Sequence, residues 1–217
     1  MSLPKARIGY TVEEYLEMER ASEVRHEYLD GEIYEMSGES ISHGRICTNI
    51  VVTLGAQLRG RQCDVFSKDM KIRSGWLPSP RRMMKGLFSY PDVVIVCGTP
   101  ETHDEYQDIL INPNVIIEVL SDTTERFDRR DKFQRYRTHL PSLTDYILVS
   151  QNLALIEQFT RQTNDRWLYT VVSDMEGELH IASIGCGLRL ADVYDRVTFP
   201  PPEDEEFIED QSYEESN

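Results

Sequence analysis

The sequence predicts an α/β (α+β) fold: a mixed central sheet flanked by helices, followed by a trailing antiparallel meander. Three observations carry this. Compact Val- and Ile-rich runs at 91–98 (PDVVIVCG), 114–120 (NVIIEVL) and 144–150 (TDYILVS) have the apolar density of buried strands. Ile46, Ile50, Leu54 and Leu58 recur every fourth residue within 42–59, with Cys47 and Val51 beside them, which describes a helix packing one face on a core. Beyond residue 150, LALIEQFTR, RWLYTVVS and ELHIASIG are spaced as successive antiparallel strands.

The other elements follow in chain order. Thr11 with Glu14 three places on is a capping-box signature, so a short helix is expected over 11–20. In EYLDGEIYEM (27–36), Asp30-Gly31 divides two alternating runs; both residues tolerate positive φ, which predicts a hairpin. Residues 64–73 (DVFSKDMKIR) read as one strand, and 74–90 as a loop carrying Trp76 and Phe88. Ser121-Asp122-Thr123-Thr124 supplies N-cap chemistry for a helix near 124–139.

Composition bounds the function. The 217 residues suit one domain, expected over 1–199, with an acidic tail expected to be disordered at 200–217. Of the net charge of -15, eight units lie in residues 203–217, leaving -7 for the remainder. No run approaches the ~18 apolar residues of a membrane span, and the N-terminus lacks a secretory apolar core, so a cytoplasmic protein is expected. Cys47, Cys63, Cys97 and Cys186 include no CxxC pair, which argues against a zinc cluster and for buried free thiols. Two basic stretches, Lys68, Lys71, Arg73, Arg81, Arg82 and Lys85, and then Arg126 to Arg137, are either phosphate contacts or solvated surface.

The chemistry lies in two acids on the apolar strands. Asp92 stands at the start of VVIV and Glu118 near the end of VIIEVL. A charge inside such a run costs several kcal/mol unless it is paired, neutralised or metal-bound. Taken singly, Asp92 suits a turn cap and Glu118 the partner of an arginine. On antiparallel neighbours they would converge at one sheet end, as a hard oxygen site for Mg²⁺ or Mn²⁺.

Pro91-Asp92 followed by a strand and then Glu118-Val119-Leu120 resembles the PD-(D/E)XK nuclease superfamily. More narrowly, YLDGEIYEM, SHGRI, PDVVIV, IIEVLSDTTERFDRRDKFQRYR and DYILV resemble the Uma-two family of restriction-endonuclease-like proteins over residues 10–195. The resemblance implies a restriction-endonuclease-like fold and Mg²⁺-dependent cleavage of nucleic acid, DNA in the first place, with a homodimer by analogy. The lysine expected two places after the second acid is Leu120 here; the resemblance moves that role to Lys132 on the next helix. It also offers Glu32 as a third metal ligand and His43 as a residue near the site. Tyr136 is read as packing. The missing lysine keeps an alternative open, a catalytically inactive nuclease-like fold that binds nucleic acid or protein.

Overall fold

A computed structural model of the chain describes residues 9–75 and 84–201. Arg81, Arg82 and Trp76, and all of the acidic tail beyond Pro201, lie outside the described residues.

The chain begins with helix α1 (Val12–Ala21), whose capping box is complete: Glu14 N–H donates to Thr11 Oγ1 at 3.2 Å and Thr11 N–H to Glu14 Oε2 at 2.9 Å. Strands β1 (His26–Leu29) and β2 (Glu32–Glu35) form the expected hairpin. Asp30 and Gly31 both take positive φ, 50° and 104°, as a two-residue turn of that handedness requires. Helix α2 (Ile41–Leu58) buries Ile46, Cys47, Ile50, Leu54 and Leu58, the stripe visible in the sequence.

The expected strand 64–73 is two strands, β3 (Cys63–Ser67) and β4 (Lys71–Ser74), which belong to different sheets. The chain breaks between them at Lys68, whose φ is positive. Four further strands follow: β5 (Leu87–Ser89), β6 (Val93–Cys97), the short β7 (Ile109–Leu110) and β8 (Val115–Leu120). The helix expected near 124–139 is not regular. A short α3 (Glu125–Phe127) leads into a π-helical turn, Asp128–Lys132, and then α4 (Phe133–His139). Strands β9 (Asp145–Ser150), β10 (Ile156–Arg161), β11 (Trp167–Val172), β12 (Glu178–Ile181) and β13 (Cys186–Arg189) lead to a final turn of helix, α5 (Leu190–Val193).

The larger sheet has six strands in the order β11-β10-β9-β8-β6-β3 and is mixed: β8 and β9 run parallel and the other neighbours antiparallel. One face carries Val93, Ile95, Val115, Ile117 and Ile147 against α2, α5 and the β12–β13 hairpin. The other carries Val94, Val96, Ile116, Leu120 and Leu148 against α4 and part of the second sheet. That second sheet, β2-β1-β5-β4-β7, packs Tyr28, Phe88 and Ile109 on α1. The expected meander is therefore divided. β10 and β11 extend the main sheet, whereas among the described residues β12 pairs with β13 alone, because Leu179, Ile181 and Leu188 bury against α2 instead.

The cysteine expectation is corrected for one pair. Cys63 and Cys97 lie opposite each other on β3 and β6 and form a disulfide. The antiparallel register brings their Cα atoms to 4.0 Å, a proximity that their separation of 34 residues conceals. Cys47 and Cys186 are buried free thiols. Among the described residues no helix is long and apolar enough to cross a membrane.

Candidate active site

β6 and β8 pair with Val93 opposite Ile117. Continued by one residue, this register sets Asp92 against Glu118 at one end of the main sheet. The two side chains are held from opposite sides. Asp92 Oδ1 lies 2.8 Å from His43 Nε2 on the first turn of α2, and Oδ2 accepts the Val119 N–H at 2.8 Å. Burial pushes the Asp92 carboxyl up, but the His43 imidazole and the Val119 N–H outweigh it and hold the group below the usual aspartate range.

Glu118 is buried between Ile116 and Leu120, so strand alternation turns it toward α4. Its Oε1 accepts from Lys132 Nζ at 3.3 Å and from the Tyr136 hydroxyl at 3.4 Å. Tyr136 in turn shares a hydrogen bond of 2.9 Å with Ser89. Desolvation raises the Glu118 carboxyl well above its ordinary value; Lys132 opposes this, and Asp128, Asp92 and Glu27 add to it.

Lys132 ends the π-helical turn, with its side chain 6% exposed. Its ammonium lies 3.2 Å from Glu27 Oε1, 3.1 Å from Asp128 Oδ1 and 3.3 Å from Glu118 Oε1. Burial alone would lower its pKa, but Glu118, Glu27 and Asp128 together raise it, so it stays charged. π-turns inside helices occur often at functional sites. Here the turn buries both Asp128 and Lys132.

Of the sequence candidates, the structure gathers Asp92, Glu118, Lys132 and His43 at this sheet end. It does not bring Glu32 there. Glu32 is exposed on the edge strand β2 and accepts a hydrogen bond from Tyr34. The hairpin acid that arrives is Glu27, on the inner strand β1, which also accepts the Tyr90 N–H at 3.2 Å. Sequence reasoning missed Glu27 and Asp128. Asp128 was readable in principle, four residues before Lys132; Glu27 required the stacking of the two sheets.

The basic stretches also divide. Lys71 and Arg73 are buried, Lys71 donating to the Tyr90 hydroxyl at 3.2 Å and pairing with Asp108, so neither lies on a surface where phosphate could be met. Arg135 is bound to Asp30 at 2.6 Å and Arg129 to Glu157 and Glu125. Arg126, Arg130 and Arg137 are exposed.

The donor set is of the kind that a hard dication takes. Glu27, Glu118 and Asp128 converge on one buried ammonium and Asp92 adds its charge to Glu118 from the neighbouring strand, a surplus of carboxylate that a dication would offset, and all four offer oxygen. The residues fit such an ion.

A mixed sheet with acids at adjacent strand ends and a lysine returned to them by the next helix defines the class of restriction-endonuclease-like folds. The chain belongs to the Uma2 family, described as "Putative restriction endonuclease", whose model matches residues 12–192. Two uncharacterized proteins of Synechocystis sp. are 30% and 32% identical to it, over 79% and 86% of this chain and 92% of each of theirs. A crystal structure from Anabaena variabilis, described as "a putative nuclease belonging to DUF820", superposes with a TM-score of 0.67 over 85% of this chain and 97% of that one. At 16% identity, that likeness is one of fold.

Proposed function

We propose that this chain is a nuclease hydrolysing phosphodiester bonds in nucleic acid, in DNA before RNA, with Mg²⁺ or Mn²⁺ held by Asp92 and Glu118. Family membership supports the reaction class. The observation that carries the site is the 3.3 Å contact between Lys132 and Glu118, which supplies the cation that Leu120 cannot.

When bound, a divalent cation at the two acids would neutralise phosphate charge and lower the pKa of an attacking water. The chain's own residues do the remaining work. His43 and the Val119 N–H fix both oxygens of Asp92 and keep it ionised. Lys132, held charged by three carboxylates, can offset negative charge that develops on the phosphate oxygens. Tyr136 orients Glu118 from the α4 side. Exposed Arg126 and Arg130, on the same helical segment as Lys132, are placed for backbone phosphates. One such site per chain cuts one strand, so cleavage of both strands of a duplex calls for two copies, which the mass in solution would reveal.

The test is a cleavage assay on plasmid, linear duplex, single-stranded DNA and RNA, with Mg²⁺, Mn²⁺ or a chelator. Cleavage should need the ion and should fall at least about 10²-fold in Asp92→Asn and Glu118→Gln, while nucleic-acid affinity stays within a few-fold. Wild-type protein that cuts none of these substrates, or variants that cut equally well, would overturn the proposal.

A further inference from the structure

On the α2 side of Asp92, His43 is joined by two groups that take no part in cleavage, Glu39 and Cys47. His43 and Cys47 are four residues apart on α2, so both point from one face of the helix. Glu39, just before the Ser40 N-cap, folds back over the same face. One ligand atom from each of Glu39, His43 and Cys47 lies within 4.8 Å of the other two. His43 Nε2 lies 3.8 Å from Glu39 Oε2 and 2.8 Å from Asp92 Oδ1.

We infer that Glu39, His43, Cys47 and Asp92 form a binding site for a borderline-soft divalent cation of the Zn²⁺ or Co²⁺ kind, separate in donor chemistry from the all-oxygen Asp92–Glu118 pair. Mg²⁺ takes oxygen ligands in octahedral geometry, whereas an imidazole, a thiolate and carboxylates suit a tetrahedral, borderline ion. Four side chains of these types supply the ligand count of such a site. Access is open on one side, because Glu39 is 44% exposed while His43 is 13% and Asp92 14%.

The electrostatics favour a cation here. Burial, then Asp92 and Glu118, push the Cys47 thiol well above its ordinary value. A dication among the same groups would reverse that, since a coordinating thiol is deprotonated outright. Lys68 now pairs with Glu39 and would have to leave that carboxylate as the ion binds. Binding therefore displaces one lysine from Glu39. Asp92 and its partner His43 are common to both sites, whereas Glu39 and Cys47 belong to this one and Glu118 and Lys132 to the other.

Co²⁺ is the probe. Full-length, chelator-treated protein, kept non-reducing so that Cys63 and Cys97 stay paired, should take up about one equivalent with a thiolate-to-cobalt charge-transfer band. The band should persist in Cys186→Ser and Glu118→Gln, vanish in Cys47→Ser, and need at least tenfold more Co²⁺ in His43→Ala. Far-UV circular dichroism checks that each variant is folded; should Cys47→Ser not fold, His43→Ala decides. The site is overturned if wild-type protein shows no band, if the band survives Cys47→Ser, or if Glu118→Gln abolishes it. A band with the expected dependences in protein that cuts no nucleic acid supports this site and counts against the cleavage reading.

Discussion

Glu118 and Lys132 form a pair in which each member's cost depends on the other. Glu118 is desolvated and crowded by three further carboxylates, so its carboxyl is raised in the fold. Such a group favours folding while it can hold its proton. That contribution is complete below the ordinary value of 4.5 and disappears as pH rises through the native value. In chelator, Glu118→Gln should therefore melt above wild type at pH 8 and level with it near pH 4. Each kcal/mol corresponds to roughly 2–4 °C in a chain of this size. Adding Mn²⁺ should raise the wild-type melting temperature and leave that of Glu118→Gln unchanged, because only the former keeps both acids. Lys132→Met is expected to act in the opposite sense. It strands Glu27, Glu118 and Asp128 without their ammonium, a loss of about 3–5 kcal/mol readable by urea unfolding, which Mn²⁺ should partly restore. An unchanged urea midpoint would show that the three acids are not held apart by Lys132.

Elements deliver these side chains with different reliability. Strand alternation turns Glu118 to the α4 face, and helical period sets His43 and Cys47 on one side of α2; both follow from local geometry. The π-helical turn at Asp128–Lys132 does not, since nothing in DRRDK distinguishes it from an ordinary helical turn. β3 and β6 show how pairing alters chemistry. Their register turns two distant cysteines into a disulfide, so unfolded, unreduced protein should show two titratable thiols, from Cys47 and Cys186. Reduction before unfolding should raise the number to four. Four thiols without reduction would return the chain to the free-thiol reading.

At the scale of the whole molecule, the main sheet separates two cores and meets the functional cluster at one end. Both faces of the sheet are apolar, so the rigidity of β6, β8 and β9 governs where Asp92 and Glu118 stand. Leu148, fully buried on β9 opposite Glu118, is the place to test this. Leu148→Ala should cost about 2–5 kcal/mol in urea unfolding. A loss well under 1 kcal/mol would mean that the α4 face repacks freely and does not hold Glu118 in register.

The sequence by itself determined the buried strands, the Asp30-Gly31 hairpin, the α1 capping box and the packing stripe of α2. Each of these is written in period or turn chemistry over a few neighbouring residues. It also pointed to Asp92 and Glu118, because an acid inside an apolar run is conspicuous. Tertiary structure alone decided that Glu27 rather than Glu32 reaches Lys132, that His43 grips Asp92, that Lys71 and Arg73 are buried, and that Cys63 meets Cys97. The three contacts among these join residues 34, 49 and 105 positions apart in different elements. What sets them is strand register for the cysteines and the packing of two sheets and two helices around one strand end for the others, properties of the folded chain rather than of any segment of it.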